Sequence, residues 1–185
     1  MRAFLAKAPD KTSPFFTVRR RADAGLPILW HFHREFELTF IAASRGKRFV
    51  GDHIEDYRDG DLTLLGPFLP HTWSSDPTVP GPHVCAVVHF GLDVFGEEAI
   101  GHPGLSGVQV LFERATRGVR FGPDVVTEVG PLLLALAAQR PLEQLATFAT
   151  VVDRLAVARD VHVLSTRAWN ETSFEVDLRP IDRVC

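Results

Sequence analysis

Cysteine is scarce in this sequence: Cys85 and Cys185 are the only two in 185 residues. That excludes a disulfide framework and a cysteine-based zinc site, and it suits a reducing compartment. Long apolar runs are missing too. The stretch around residues 132–138 is far too short to span a bilayer, and the first nine residues lack the apolar core of a secretory signal. A cytoplasmic protein with no membrane contact is expected. Neither sign of charge dominates, since 20 Lys and Arg against 23 Asp and Glu leave a formal net charge of −3. This balance argues against a dominant nucleic-acid surface. The run Arg19-Arg20-Arg21 is the only basic cluster and reads as a solvated strand edge or loop. There is no phosphate-binding glycine loop and no defensible Ser–His–Asp order. Cys85 lies in an apolar stretch with no cationic neighbour to activate it.

What is present is an ordinary globular composition, 45% hydrophobic and 23% charged, in a chain long enough for one domain with a real core. Up to about Phe121 short apolar runs alternate with Gly, Pro and Asp. They predict strands near residues 27–32, 37–43, 48–50, 53–55, 61–65, 84–90 and 108–112. Gly51-Asp52 marks a hairpin turn, and 84–90 is apolar enough to be covered on both faces. Many short strands of this kind form a sandwich or barrel. Beyond Phe121 the period changes to that of a helix. Val125, Val129, Leu132, Leu133 and Leu136 form one stripe and Leu145, Phe148, Val152 and Leu155 a second. Asp124 is expected to cap the first helix, and Pro141 to open the second. The short connection at Arg140-Pro141 predicts an antiparallel α-helical hairpin. Leu132, Leu133, Leu134 and Leu136 exceed what one seam needs and point to a subunit contact. The segment Asp177-Leu178-Arg179-Pro180, with Ile181 and Val184, reads as a helix start at the entrance of a following domain.

Chemistry concentrates in a few residues. His31 and His33 are two apart on an extended segment and face one side, and Glu37 keeps that parity after a turn at 34–36. Imidazoles suit divalent first-row metals and a carboxylate adds holding charge; His71 would be a third imidazole from a distant strand. Each residue alone has a plainer reading. His31 and His33 could be a partly exposed polar pair, Glu37 a salt-bridge partner of Arg34 or Arg48, and His71 a turn residue beside Pro70. His89 shares a face with Val87 and reaches toward the interior. Phe40, Phe49 and Trp73 read as core or pocket wall. His53, His83, His102 and His162 read as surface residues.

The arrangement as a whole resembles a known family. Gly25, His31-Phe32-His33, Glu37 and Gly46 resemble the first conserved motif of cupins. The segment GDLTLLGPFLPHTW at 60–73 resembles the second, with His71 in the last ligand place. Gly46 comes later than usual and Phe68 stands where a Gly is usual; both changes touch turns, not ligands. The resemblance implies a mainly β fold, a cupin (double-stranded β-helix or jelly-roll) barrel over residues 1–121. It also implies one divalent transition metal, Zn, Ni, Fe or Mn, on His31, His33, Glu37 and His71. More narrowly, residues 30–76 resemble the N-terminal sensor domain of AraC-type transcription regulators. That likeness implies a dimerising helical hairpin at 122–165. Residues 166–185 would then be a linker and the start of a DNA-binding domain absent from this chain. The implied partners are a small-molecule effector, near His89, Phe40 and Trp73, and a second copy through the C-terminal helices. DNA would be bound only through the missing domain, and no recognition-helix pattern occurs here. Two other readings remain open. One is a stand-alone metal-dependent cupin enzyme of the dioxygenase or isomerase class; the other is a barrel that holds a small organic molecule without metal.

Overall fold

Strand alternation decides this architecture. The computed structural model describes residues 3–6, 17–23, 29–78 and 83–173. In it Phe36, Leu38 and Phe40 of one strand pack in a core shared with the helices, while Glu37, Thr39 and Ile41 belong to the opposite face. Both faces are buried, so this strand is interior and two-sided. Each fully buried Leu or Phe contributes roughly 1.5–3 kcal/mol by leaving water.

The strands are β1 Phe4–Leu5, β2 Thr17–Asp23, β3 His31–Phe32, β4 Phe36–Ala43, β5 Gly46–Val50, β6 His53–Tyr57, β7 Asp61–Leu65, β8 His71–Ser75 and β9 His83–Phe90. After them come α1 Glu97–Ile100, α2 Ser106–Ala115, β10 Val119–Phe121, α3 Pro123–Ala135, α4 Pro141–Ala156 and β11 Val161–Val163. One sheet runs β1-β3-β8-β5-β6 and the other β11-β10-β7-β4-β9-β2. The fold is thus mainly β with several helices. The helices cover the outer face of the six-stranded sheet, where Leu62, Leu64, Ala86, Val88 and Phe90 meet Leu111, Phe112, Leu133 and Phe148. Side chains of the two sheets meet on the other face: Ile41, Leu65 and Cys85 pack with Val50 and Trp73.

Several sequence expectations need correction. Residues 108–112 are not a strand but part of α2, because Val108, Leu111, Phe112 and Ala115 are buried at helical spacing. Asp124 does not cap α3. Gly122 holds the cap position without a side-chain bond, Pro123 opens the helix, and Asp124 sits in its first turn. Pro141 opens α4 as expected, with the Glu143 carboxylate accepting from the Arg140 backbone N–H at 3.1 Å. Leu133 and Leu136 are spent on this chain's own core, and Leu132 and Leu134 pack against it. Residues 27–28 of the first strand expectation, Gly25 and the tail from Asp177 onward lie outside the described residues. Phe68 adopts a left-handed φ of 63°, at the place where the motif usually carries Gly.

Candidate metal centre

The two sheets each bring part of one polar cluster. On the five-stranded sheet His31 of β3 pairs directly with His71 of β8. On the six-stranded sheet Glu37 of β4 lies opposite His89 of β9. His33 sits between β3 and β4, on the connection that takes the chain from one sheet to the other. One ligand atom from each of His31, His33, Glu37 and His71 lies within 4.8 Å of the others. His33, Glu37 and His71 are buried and His31 is partly so.

The backbone fixes how the rings point. His31 Nδ1 lies 2.6 Å from the Leu29 carbonyl, His33 Nδ1 3.0 Å from that of Glu35, and His71 Nδ1 2.8 Å from that of Leu69. A carbonyl only accepts, so each Nδ1 carries the proton and each neutral ring offers its Nε2 lone pair. Carbonyl partners of this kind fix tautomer and orientation in metal-ligating histidines. The Glu37 Oε2 lies 3.1 Å from His33 Nε2 and 3.4 Å from His71 Nε2, while Oε1 accepts from Thr39 Oγ1 at 2.6 Å. His71 Nε2 is buried without a hydrogen bond. A carboxylate facing imidazole lone pairs in a buried site needs a cation among them, a proton or a metal. The residues present therefore fit a divalent transition metal.

The electrostatics agree. Burial, with His71 nearby, lowers the His31 pKa from 6.5 to about 3, so its ring stays neutral and ready to ligate. Burial opposes ionisation of Glu37. The imidazoles of His71, His33 and His89 gathered around it outweigh burial and hold the carboxyl well below its ordinary range.

The remaining expected residues divide. His89 joins the cluster, with Nε2 2.9 Å from Glu37 Oε2. Trp73 stands beside His71, ring centroids 5.8 Å apart, with its Nε1 buried and unbonded. Phe40 lies elsewhere: its strand parity turns it to the helix layer, where a Cβ on Gly130 would meet its ring at 2.7 Å. The alternative partners of Glu37 are engaged elsewhere, Arg34 with Glu171 and the fully buried Arg48 with Asp61 and Glu55. His83 is not a free surface residue, since its Nδ1 bonds Ser44 Oγ at 2.7 Å; His102 is exposed and His162 is 54% exposed. The Arg48–Asp61 pair, the Thr39 bond and the three carbonyl partners were missed. Thr39 alone carried a signal, because it shares strand parity with Glu37. A cleft of about 900 Å³ lined by Lys47, Phe49, Tyr57 and Ser75, among others, contains none of the cluster residues.

No known family profile matches the sequence, and no curated protein matches it. Several solved structures are similar in shape. The AraC-like transcriptional activator CuxR is 6% identical with a TM-score of 0.45, over 68% of this chain and 42% of that one. ToxT from Vibrio cholerae is 9% identical with a TM-score of 0.43, over 79% and 60% respectively. A cupin 2 conserved barrel domain protein from Salinispora arenicola is 18% identical with a TM-score of 0.36, over 52% and 79%. The structural neighbours thus include AraC-like regulators and cupin barrels, and the chain spans under half of the CuxR chain. Likenesses this loose carry no argument about the site. No described helix is long and apolar enough to cross a membrane.

Proposed function

We propose that this chain is the ligand-sensing, metal-binding cupin domain of an AraC-type transcription regulator. The observation that carries the metal part is the set of three imidazoles whose Nδ1 atoms are tied to carbonyls and whose Nε2 atoms converge with Glu37. His31, His33, Glu37 and His71 would hold one divalent ion. When bound, that ion supplies a Lewis-acidic point where an effector's donor atom can attach. Trp73 and His89 stand beside the cluster and would meet the effector; Phe40 has no part in it.

The regulator part rests on the motif resemblance and on the order of elements, with α3 and α4 following the strands. It includes an antiparallel helical hairpin acting in a homodimer, and DNA binding through a domain beyond this chain. The enzyme reading draws on the same donor set.

Elemental analysis of protein purified without a metal-affinity tag tests the reading. We expect about one equivalent of a transition metal in the wild type and none in His33→Ala. A full equivalent in His33→Ala, or none in the wild type after metal loading, overturns the metal assignment. Turnover of a candidate substrate under air would favour the enzyme.

A further inference from the structure

We infer that residues 164–171 form a strap across the metal end of the two sheets, and that docking of this strap and occupation of the metal site strengthen each other. The inference rests on the metal reading above and extends it to a segment that the sequence alone marks only as the close of the hairpin and a linker.

The anchors of the strap all adjoin the cluster. Val50 ends β5 as the cross-strand partner of His71, and the next N–H, of Gly51, donates to the Pro70 carbonyl at 2.8 Å. The β5–β6 turn therefore lies at the cluster's end of the sheets. Asp52 in that turn grips the strap. Its carboxylate accepts the Thr166 backbone N–H at 2.9 Å, accepts the Thr166 hydroxyl as well, and lies 2.9 Å from Ser165 Oγ. Ser165 is fully buried, and a Cβ on Gly51 would collide with its hydroxyl, so turn and strap touch closely. The N–H groups of Leu164 and Ser165 donate to the carbonyls of Gly118 and Arg117 at 2.9 and 2.8 Å. Inward, Leu164 is buried in one group with Val50, Leu69 and Trp73, and Trp169 packs against that group. Leu69 is the residue whose carbonyl holds His71 Nδ1. At the far end Glu171 pairs at 3.1 Å with Arg34, the residue after His33.

Leu69 is thus the meeting point. An ion on His71 Nε2 fixes the imidazole, and through Nδ1 it restrains the Leu69 carbonyl. The docked strap restrains the same residue through its side chain. Each removes freedom that the other would otherwise have to remove, and such a coupling is reciprocal. The alternative is that the strap is plain packing, opening and closing without regard to the ion. Its outer contacts suit an element that opens locally before the buried strands do, because Thr166 is exposed and both partners of the Arg34–Glu171 pair are more than half exposed. In the regulator reading, the strap lets occupation of the site decide whether the chain beyond residue 173 starts from a fixed point or a free one.

Amide hydrogen exchange on metal-free and Ni(II)-loaded protein, paired with chelator competition for the nickel, tests both directions. Without metal the amides of Ser165 and Thr166 should exchange faster than those of Val151 and Val152 inside α4, and nickel should slow them by about fivefold or more. In return Asp52→Ala should retain nickel about fivefold less tightly or worse, and Asp52→Asn, which keeps one acceptor oxygen for Thr166, should recover part of that loss. Gly130→Ala, placed in the helix layer away from the strap, should retain nickel as the wild type does, which separates the coupling from a general loss of stability. Strap amides that exchange only together with those of α4, strap exchange that nickel leaves unchanged, or an Asp52→Ala protein that retains nickel like the wild type each overturn the inference and leave the metal reading intact. A wild type that takes up no nickel overturns both.

Discussion

At the scale of single residues, the cluster makes the metal-free protein sensitive to acid. His31 titrates at about 3 in the fold, against 6.5 in its ordinary state, so between those values the unfolded chain binds the extra proton. Its contribution is therefore full above pH 6.5 and is lost as pH falls toward 3. Glu37, held low by His71 and the other imidazoles against its burial, has the same sign: its contribution is present above the ordinary carboxylate range and lost as pH falls through its folded value. The urea midpoint of metal-free protein should fall steadily from pH 7 to pH 4, and His31→Asn should flatten the upper part of that fall. A midpoint that rises on acidification would show that the His31 ring is not neutral in the fold. Phe68 offers a second test. Its left-handed backbone costs a side chain with Cβ roughly 1–2 kcal/mol, and glycine's extra freedom when unfolded offsets part of the relief. Phe68→Gly should change stability by less than about 1 kcal/mol, whereas Phe36→Ala, in the core beside Phe90 and Phe112, should cost about 3–5 kcal/mol in the same urea titration. The four motif ligands were legible because strand parity and motif spacing are written in residue identity. The carbonyl clamps were not, since the direction of a carbonyl is set by backbone angles that His and Leu do not encode.

Among the elements, alternation was the readable signal and short apolar runs the unreadable one. Residues 37–43, 61–65 and 84–90 are strands within a residue or so of the expectation. Residues 108–112, Val-Gln-Val-Leu-Phe, fit either period in a window of five, and only the burial of Ala115 beyond them resolves the helix. Phe40 shows the rule misapplied: it shares parity with Phe36 and Leu38, not with Glu37, so the helix layer was its place from the start. Its ring now fixes a glycine. Gly130 lies inside α3, where helix propensity alone says that alanine should stabilise by about 1 kcal/mol. Against this, an alanine Cβ would stand 2.7 Å from Phe40 Cζ, and overpacking of that kind costs about 1–3 kcal/mol. The steric term is the larger, so Gly130→Ala should lower the melting temperature. Gly130→Ala combined with Phe40→Leu should recover part of the loss, a coupling that a double-mutant cycle measures directly.

For the whole molecule, the sequence overstated the apolar surface left for a second copy. Leu133 and Leu136 are fully buried in this chain, and the large exposed side chains near α4 are Leu142 at 75% and Val157 at 66%. If these helices carry the proposed homodimer contact, sedimentation equilibrium at micromolar concentrations should show a dimer that Leu142→Glu returns to monomer without lowering the melting temperature. A wild-type monomer there removes the dimer from the reading. Metal binding reaches the whole molecule by a different route. The donors come from both sheets and from the connection between them, so an ion held by them exists only in the folded chain. Binding to the folded state alone adds about 2.7 kcal/mol when free metal stands at 100 times its dissociation constant. For a domain of this size that raises the melting temperature by roughly 5–10 °C. The rise should follow the logarithm of free metal, vanish with a chelator, and be absent in His33→Ala, whose melting temperature in chelator should lie close to that of the wild type in chelator. A ligand-independent loss of stability in His33→Ala would instead assign the cluster a structural role in metal-free protein. The slope of melting temperature against metal concentration therefore separates a metal centre from a buried polar core.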